Sequence, residues 1–218
     1  MPRLALMIDL ERCTGCKSCE AACKSEHALG PTERHNRVVW LGSKLEENPD
    51  NNQALDFLAL ACQHCERPAC VRACPVSPKA ISKNKETGVV TVNEDACVGC
   101  GECVTACPYG AMGFDPDGRH AVKCDLCSDR RAEGAATTAC AAVCPTKAIT
   151  FGPRDELLKT TEANNREMIK NDPFLLGPAT IYLDRITNKQ EKFDAADRNS
   201  PKVIDSFTNV SINDTGFP

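Results

Sequence analysis

Sixteen cysteines fall into four groups of four with none left over, and this spacing constrains the 218-residue chain more than any other feature. The first group is Cys13, Cys16, Cys19 and Cys23, spaced C-x2-C-x2-C-x3-C. The second is Cys62, Cys65, Cys70 and Cys74, spaced C-x2-C-x4-C-x3-C. Cys97, Cys100, Cys103 and Cys107 repeat the first spacing, and Cys124, Cys127, Cys140 and Cys144 separate their middle pair by twelve residues. Proline follows the last cysteine of three groups (Pro75, Pro108, Pro145), and Lys24 takes that place in the first. So many cysteines serve either a disulfide framework or metal ligation. Disulfide scaffolds are short secreted domains that enter an oxidising compartment behind a leader. The apolar run before Cys13 is shorter than the roughly 7–15 residues of a signal peptide core and leads straight into the first motif. It is expected to be a first β-strand, and the cysteines to be metal ligands.

The C-x2-C-x2-C-x3-C-P run is the bacterial ferredoxin pattern for [4Fe–4S] clusters. Three thiolates on a tight loop grip three corners of one cube, and the fourth, opening a helix that points away, reaches a neighbouring cube. Two motifs are therefore needed for each two-cluster unit. The repeat extends beyond cysteine. Ile8-Asp9-Leu10-Glu11 matches Val92-Asn93-Glu94-Asp95 at an offset of 84 residues, and Gly15 and Ala22 match Gly99 and Ala106. Pro108-Tyr109-Gly110-Ala111-Met112-Gly113-Phe114 likewise matches Pro145-Thr146-Lys147-Ala148-Ile149-Thr150-Phe151, and Lys79-Ala80-Ile81 echoes Lys147-Ala148-Ile149. Each unit reads as strand, cysteine loop, short helix, strand. Clusters standing in for apolar core would explain how 5% aromatic residues suffice.

Elsewhere the signals are local. Ala80-Ile81-Ser82 and Val89-Val90-Thr91-Val92 flank Lys85-Glu86-Thr87-Gly88, a hairpin pattern. Val38-Val39-Trp40-Leu41, around the single Trp, predicts a strand, and 46–52 predicts a polar loop. Asp155 is expected to cap a helix running to about Lys170, with Leu157, Leu158, Met168 and Ile169 as its apolar face. Ala179-Thr180-Ile181-Tyr182-Leu183 predicts a strand, and the polar tail from 187 an arm that orders on a partner. No stretch reaches the roughly 18 apolar residues of a membrane span. The net charge of −4, without a basic block, argues against nucleic acid.

Taken together, Cys62-Gln63-His64-Cys65, Cys70-Val71-Arg72-Ala73-Cys74-Pro75 and Lys123-Cys124-Asp125-Leu126-Cys127 resemble the four-cluster iron–sulfur (beta) subunits of the dimethyl sulfoxide reductase family. These partner the molybdenum or tungsten bis-pterin oxidoreductases of anaerobic respiration. The resemblance covers residues 3–151 closely and the tail only in general character. It implies an α+β fold of two bacterial-type 2x[4Fe–4S] ferredoxin-like units with interdigitated cysteine motifs. Residues 1–23 and 108–151 would form the first unit (motifs one and four), and 62–107 the second (motifs two and three). Residues 24–61 would be a connecting insertion and 152–218 a C-terminal extension for partner docking. It further implies four [4Fe–4S] clusters. One takes Cys13, Cys16, Cys19 and Cys144; its neighbour takes Cys124, Cys127, Cys140 and Cys23. A third takes Cys97, Cys100, Cys103 and Cys74, and the fourth Cys62, Cys65, Cys70 and Cys107. The expected role is non-catalytic: relaying electrons one at a time between a molybdenum/tungsten pterin catalytic subunit and a quinone-linked anchor, cytochrome or soluble carrier. Some relatives add a C-terminal transmembrane helix that this sequence lacks, so membrane attachment would come through a partner. Assembly is expected in the cytoplasm, with the final side, cytoplasmic or periplasmic by co-export with the catalytic subunit, left open.

Other readings stand beside this one. A hydrogenase-type complex uses similar iron–sulfur subunits, and a free-standing soluble polyferredoxin would carry similar motifs. Structural zinc would favour separated C-x2-C pairs without the third cysteine or the following proline. With the ligands all cysteine, the histidines are not required. His64, between Cys62 and Cys65, either tunes a cluster or packs in its loop, while His27, His35 and His120 are expected to be ordinary. Lys17, Lys123 and Arg72 lie beside ligands, where a positive charge would raise a cluster's potential, but solvated surface charge is the expected reading for each. No phosphate loop, nucleophile–base pair or flavin fingerprint is present, and Gly99-Cys100-Gly101 is not continued into a dinucleotide fingerprint.

Overall fold

A computed structural model describes residues 2–40, 57–115, 117–169 and 171–183; the expected 46–52 loop and the tail from 187 lie outside the described residues. The chain runs β1 (Leu4–Asp9), α1 (Ser18–Glu26), β2 (Asn36–Trp40), β3 (Phe57–Ala61), α2 (Ala69–Ala73), β4 (Ile81–Lys83) and β5 (Val90–Val92). It continues through α3 (Glu102–Ala106), β6 (Gly113–Asp115), β7 (His120–Val122), α4 (Ser128–Ala132), α5 (Ala139–Val143), β8 (Ile149–Pro153), α6 (Arg154–Ala163) and β9 (Ile181–Leu183). Short strands and one-turn helices give the mixed α+β content of ferredoxin-like domains.

The expected first strand is the centre of a three-stranded sheet in the order β8-β1-β9. β1 runs antiparallel to β8, with Ile8 opposite Ile149, and parallel to β9, with Ile8 opposite Tyr182. Side chains alternate across a strand, and both faces of this one are covered. Ala5 and Met7 pack with Leu157 of α6 and with Ala179, Ile181 and Leu183. Leu6, Ile8 and Tyr182 turn the other way, into a core shared with Cys19, Cys62, Cys124, Cys140 and Cys144. Fully burying a side chain such as Leu6 or Ile8 contributes about 1.5–3 kcal/mol. These five cysteines thus lie in the main core.

Among the described residues, the other three sheets are antiparallel pairs: β2 with β3, β4 with β5, and β6 with β7. The β4–β5 hairpin follows the sequence expectation. Asn84 Oδ1 accepts the Glu86 and Thr87 N–H groups at 2.9 Å each, and Gly88 turns at φ +71°. α1 packs against α5, and α2 against α3. A separate small core joins Cys70, Ile81, Val90, Cys103, Met112 and Ala121, so the β6–β7 hairpin packs with motifs two and three.

The helix after β8 is shorter than expected. It covers Arg154–Ala163, with Asp155 in its first turn beside Glu156 rather than at its cap. It ends where Asn164 leaves helical geometry and Asn165 adopts φ +49°, a conformation asparagine tolerates. Met168, assigned above to its apolar face, is 49% exposed and forms an isolated bridge with Leu183, while Ile169 packs on the main core.

The segment 171–183 closes over motif two. Glu66 N–H donates to Gly177 O at 2.8 Å, Arg67 N–H to Leu176 O at 3.0 Å, and Ala179 N–H to Gln63 O at 2.7 Å. Asp172 fixes the turn by accepting the Leu176 and Gly177 N–H groups at 2.7 and 3.0 Å. This part of the C-terminal extension is integral to the fold. Among the described residues, no helix is long and apolar enough to cross a membrane.

Candidate metal centres

All sixteen cysteines are free; Cys16 and Cys100 are exposed, and the rest are buried or half-buried. The C-x2-C loops share one backbone device. The residue before the second cysteine has positive φ in every motif: +70° at Gly15, +42° at His64, +70° at Gly99 and +59° at Leu126. That turn folds the loop back on itself, so that its sulfurs converge. In motif four Asp125 adds support, accepting Cys127 N–H at 2.8 Å and Ser128 N–H at 2.9 Å.

Motif one meets motif four. A cleft of about 310 Å³ is lined by Cys13, Cys16 and Cys19 and, from the other motif, by Cys144, with Gly15, Val38, Ala59 and Ile149 among its walls. Cys144 Sγ accepts the Ala148 N–H at 3.2 Å, which orients the sulfur. Cys23 lies close to Cys140 and Cys127, and Cys124 feels Cys23, Cys62 and Cys140. Motif three reaches motif two through Cys107. Cys65 lies among Cys62, Cys107 and Cys70, and Cys103 beside Cys97 and Cys100. Contrary to the expectation that the last cysteine opens a helix, it follows directly on a one-turn helix in motifs two, three and four and sits within α1 in motif one.

This crowding is costly for the bare thiols. Burial, and then the neighbouring cysteines, push Cys19, Cys65 and Cys70 up to about 12, and Cys103 up to about 11. Burial likewise takes Cys127 to about 11 and drives Cys124 well above its ordinary value. Cys74 is the exception. Burial raises it, but hydrogen bonds from Val76, Ile81 and Ala80, together with Lys79, outweigh that and hold it below the ordinary thiol value. Packed thiolates of one sign need a cation-rich centre to neutralise them, and soft sulfur donors suit iron–sulfur groups. Loading must release protons. The donor set therefore fits [4Fe–4S] clusters, and the disulfide reading finds no bonded pair among these cysteines.

Several side chains beside the sulfurs depart from the expectation. Lys123 is not a solvated surface charge: it is 4% exposed, and its ammonium donates to the Val90 and Cys124 carbonyls. Both acceptors are backbone carbonyls, and no local sequence signal announces this burial. Lys17 and Arg72 are exposed as expected. His64 is buried, accepts Val90 N–H through Nδ1 at 3.0 Å and, among the described residues, has no partner at Nε2. His27 is also not ordinary. Its Nε2 lies 3.8 Å from Cys127 Sγ and 3.6 Å from Asp125 Oδ1, with its ring 4.7 Å from that of His35. Burial, then His27, lowers His35 to about 4. His120 pairs with Glu94 at 3.4 Å and Asp115 at 3.9 Å.

Comparison with known proteins agrees with this chemistry. Residues 53–154 match the family described as "4Fe-4S dicluster domain", and residues 4–25 that described as "4Fe-4S binding domain". The B subunit of the anaerobic dimethyl sulfoxide reductase of Escherichia coli (strain K12) is 42% identical over 156 residues, 70% of this chain and 74% of that protein. The polysulfide reductase B subunit of Wolinella succinogenes is 36% identical over 69% of this chain and 76% of its own length. The thiosulfate reductase electron transfer subunit of Salmonella typhi is 31% identical over 86% and 95%, respectively.

Proposed function

This chain belongs to the family of iron–sulfur electron-transfer subunits of dimethyl sulfoxide reductase-type complexes, non-catalytic chains, and on that premise we propose that it is a four-cluster electron relay. Cys13, Cys16, Cys19 and Cys144 would hold one [4Fe–4S] cluster, and Cys124, Cys127, Cys140 and Cys23 its neighbour. Cys62, Cys65, Cys70 and Cys107 would hold a third, and Cys97, Cys100, Cys103 and Cys74 the fourth. Two interdigitated ferredoxin-like units follow from that exchange of last cysteines.

The observation that carries this reading is the cleft where three sulfurs of motif one meet Cys144 of motif four. The packing of α1 on α5 and of α2 on α3 supports the same exchange in each pair. The clusters would supply one-electron chemistry, with charge spread over iron and sulfide. The protein's part is to hold the sulfurs rigidly, keep water from the inner ones and aim N–H groups at them, as Ala148 does at Cys144 and Ala121 at Cys97. Exposed Cys16 and Cys100 belong to different pairs, so each end of the relay would come near the surface for a partner. Those partners would be a molybdenum/tungsten bis-pterin catalytic subunit at one end and a membrane anchor, cytochrome or soluble carrier at the other. The extension 152–218 would contribute to docking.

The test is the total metal of the tagged chain, purified anaerobically from its native host with its companions. About sixteen irons per chain, four in each of four cubes, together with molybdenum or tungsten are expected. The same iron with nickel would point to a hydrogenase-type complex, and iron alone to a soluble polyferredoxin. Zinc without iron overturns the reading.

A further inference from the structure

We propose that Lys123 is a fixed positive charge shared by the two inner sulfur sets, one on each side of the junction between the two motif pairs, and that it holds their reduction potentials up. The inference rests on the four-cluster reading above. A buried ammonium is costly unless opposite charge lies near it. Lys123 is 4% exposed and, among the described residues, no carboxylate pairs with it. Its ammonium has two carbonyl acceptors, those of Val90 and, at 2.5 Å, Cys124. Carbonyl dipoles solvate a charge without cancelling it.

The opposite charge within reach is cysteine sulfur, and it comes from both pairs. Lys123 donates to the carbonyl of Cys124, of the set that includes Cys23, Cys127 and Cys140, and to that of Val90, which packs in one small core with Cys70 and Cys107, of the set that includes Cys62 and Cys65; its charge favours the ionised form of all three sulfurs. These sets adjoin one another, because Cys62 is among the neighbours felt by Cys124. The carbonyl of Val90 links the cation to the motif-two loop as well, since the N–H of Val90 is held by His64. Lys17 and Arg72 also stand beside ligands, but they face solvent, which screens them.

The consequence is directional. A positive charge in a low-dielectric setting favours whichever neighbouring group has gained an electron. An electron passing between the inner sets oxidises one and reduces the other by one equivalent, and Lys123 takes no part in bond-making. Because the cation stands by both sets, it raises both potentials together and keeps either from becoming a barrier between the pairs.

The experiment is a redox titration, followed by electron paramagnetic resonance, of the intact complex carrying wild-type chain, Lys123→Gln, Lys123→Arg or, as a solvent-screened control, Lys17→Gln. Iron content of the wild type comes first: if it does not bear four clusters, the reading beneath this proposal fails, separately from the proposal. With four present, Lys123→Gln is expected to weaken reduction of two clusters at least tenfold, about 59 mV for a one-electron couple. The other two should hold, Lys123→Arg should restore most of the shift, and Lys17→Gln should leave all four near wild type. Unchanged potentials in Lys123→Gln, or an equal shift of all four, overturn the proposal. Should Lys123→Gln fail to load iron, a loaded Lys123→Arg with near-wild-type potentials supports the charge, and an equally unloaded one overturns it in favour of a packing role.

Discussion

His64 and Lys123 grip opposite ends of one residue: the Val90 N–H donates to His64 Nδ1 at 3.0 Å, and the Val90 carbonyl accepts from the Lys123 ammonium. Val90 opens β5, so the hairpin between motifs two and three is tied at one point to the loop of motif two and to the start of motif four. A strand of only three residues has few ladder bonds of its own, and both side-chain bonds are buried. The motif-two loop is thereby fixed to a rigid element.

His64→Leu tests the first of these bonds. Leu126 occupies the equivalent loop position in motif four at φ +59°, so leucine tolerates this backbone, and the substitution isolates the loss of the acceptor. An unsatisfied buried N–H costs about 1–3 kcal/mol. Anaerobic guanidinium unfolding, followed by cluster absorbance, should shift to lower denaturant, and hydrogen exchange should accelerate in the peptide that contains Val90. Unchanged exchange there would mean that the bond adds nothing.

Asp9 and Arg166 form a bidentate pair at 2.8 and 2.9 Å, with side chains 11% and 12% exposed. Asp9 ends β1 and also accepts Glu11 N–H at 3.0 Å, so the pair braces the approach to Cys13. Breaking a buried pair from one side costs about 3–5 kcal/mol. Asp9→Asn is therefore expected to destabilise the protein by that order and to speed iron release to a chelator. Arg12 reaches the same carboxylate at 3.6 Å but is 59% exposed. Arg12→Ala should cost no more than about 1 kcal/mol. Equal effects of the two substitutions would contradict this ranking.

Much of this architecture is legible in the cysteine spacing, because the ligand pattern is local and repeats. Gly15 and Gly99 announce their loop turns, whereas His64 and Leu126 adopt the same positive φ without any such signal, carried by burial on both sides. Strand β1 is readable from its short apolar run, and the β4–β5 hairpin from its strand and turn pattern. The end of α6 is not, because Met168 and Ile169 keep a helical spacing from Leu157 and Leu158 while β9 pulls that segment into a bridge. Lys123 is the plainest case of a residue whose role is set by tertiary structure. A lysine beside a ligand usually reaches water, and here the hairpin covers it with the Val90 carbonyl.

Gly177 has φ +64°, and a Cβ added there would lie 2.8 Å from Glu66 Cβ, next to Cys65. The left-handed backbone alone costs a non-glycine residue about 1–2 kcal/mol. Gly101 has φ +76° but open space around it, so Gly101→Ala carries the backbone cost without the contact. Thermal unfolding of Gly101→Ala should fall by about 2–8 °C for a chain of this size, and that of Gly177→Ala further. Equal shifts would show that Glu66 yields freely and that segment 171–183 does not press on motif two.

Cys144 is the one sulfur of motif four in the cleft with Cys13, Cys16 and Cys19, and its sulfur is held by Ala148 N–H. Serine keeps the volume and the hydrogen bond but replaces a soft thiolate with an alcohol that ionises far less readily. Cys144→Ser should therefore lower iron from about sixteen toward about twelve per chain, while Cys23, Cys124, Cys127 and Cys140 keep theirs. Turnover with the physiological electron donor or acceptor should collapse, because the relay loses one of its terminal stations. Turnover with a small soluble redox dye that reaches the catalytic partner directly should persist. That contrast separates a broken relay from a misfolded complex, in which both activities fall. Full physiological turnover with about four irons missing would mean that electrons pass the chain by another route, and the serial arrangement of the clusters would have to be abandoned.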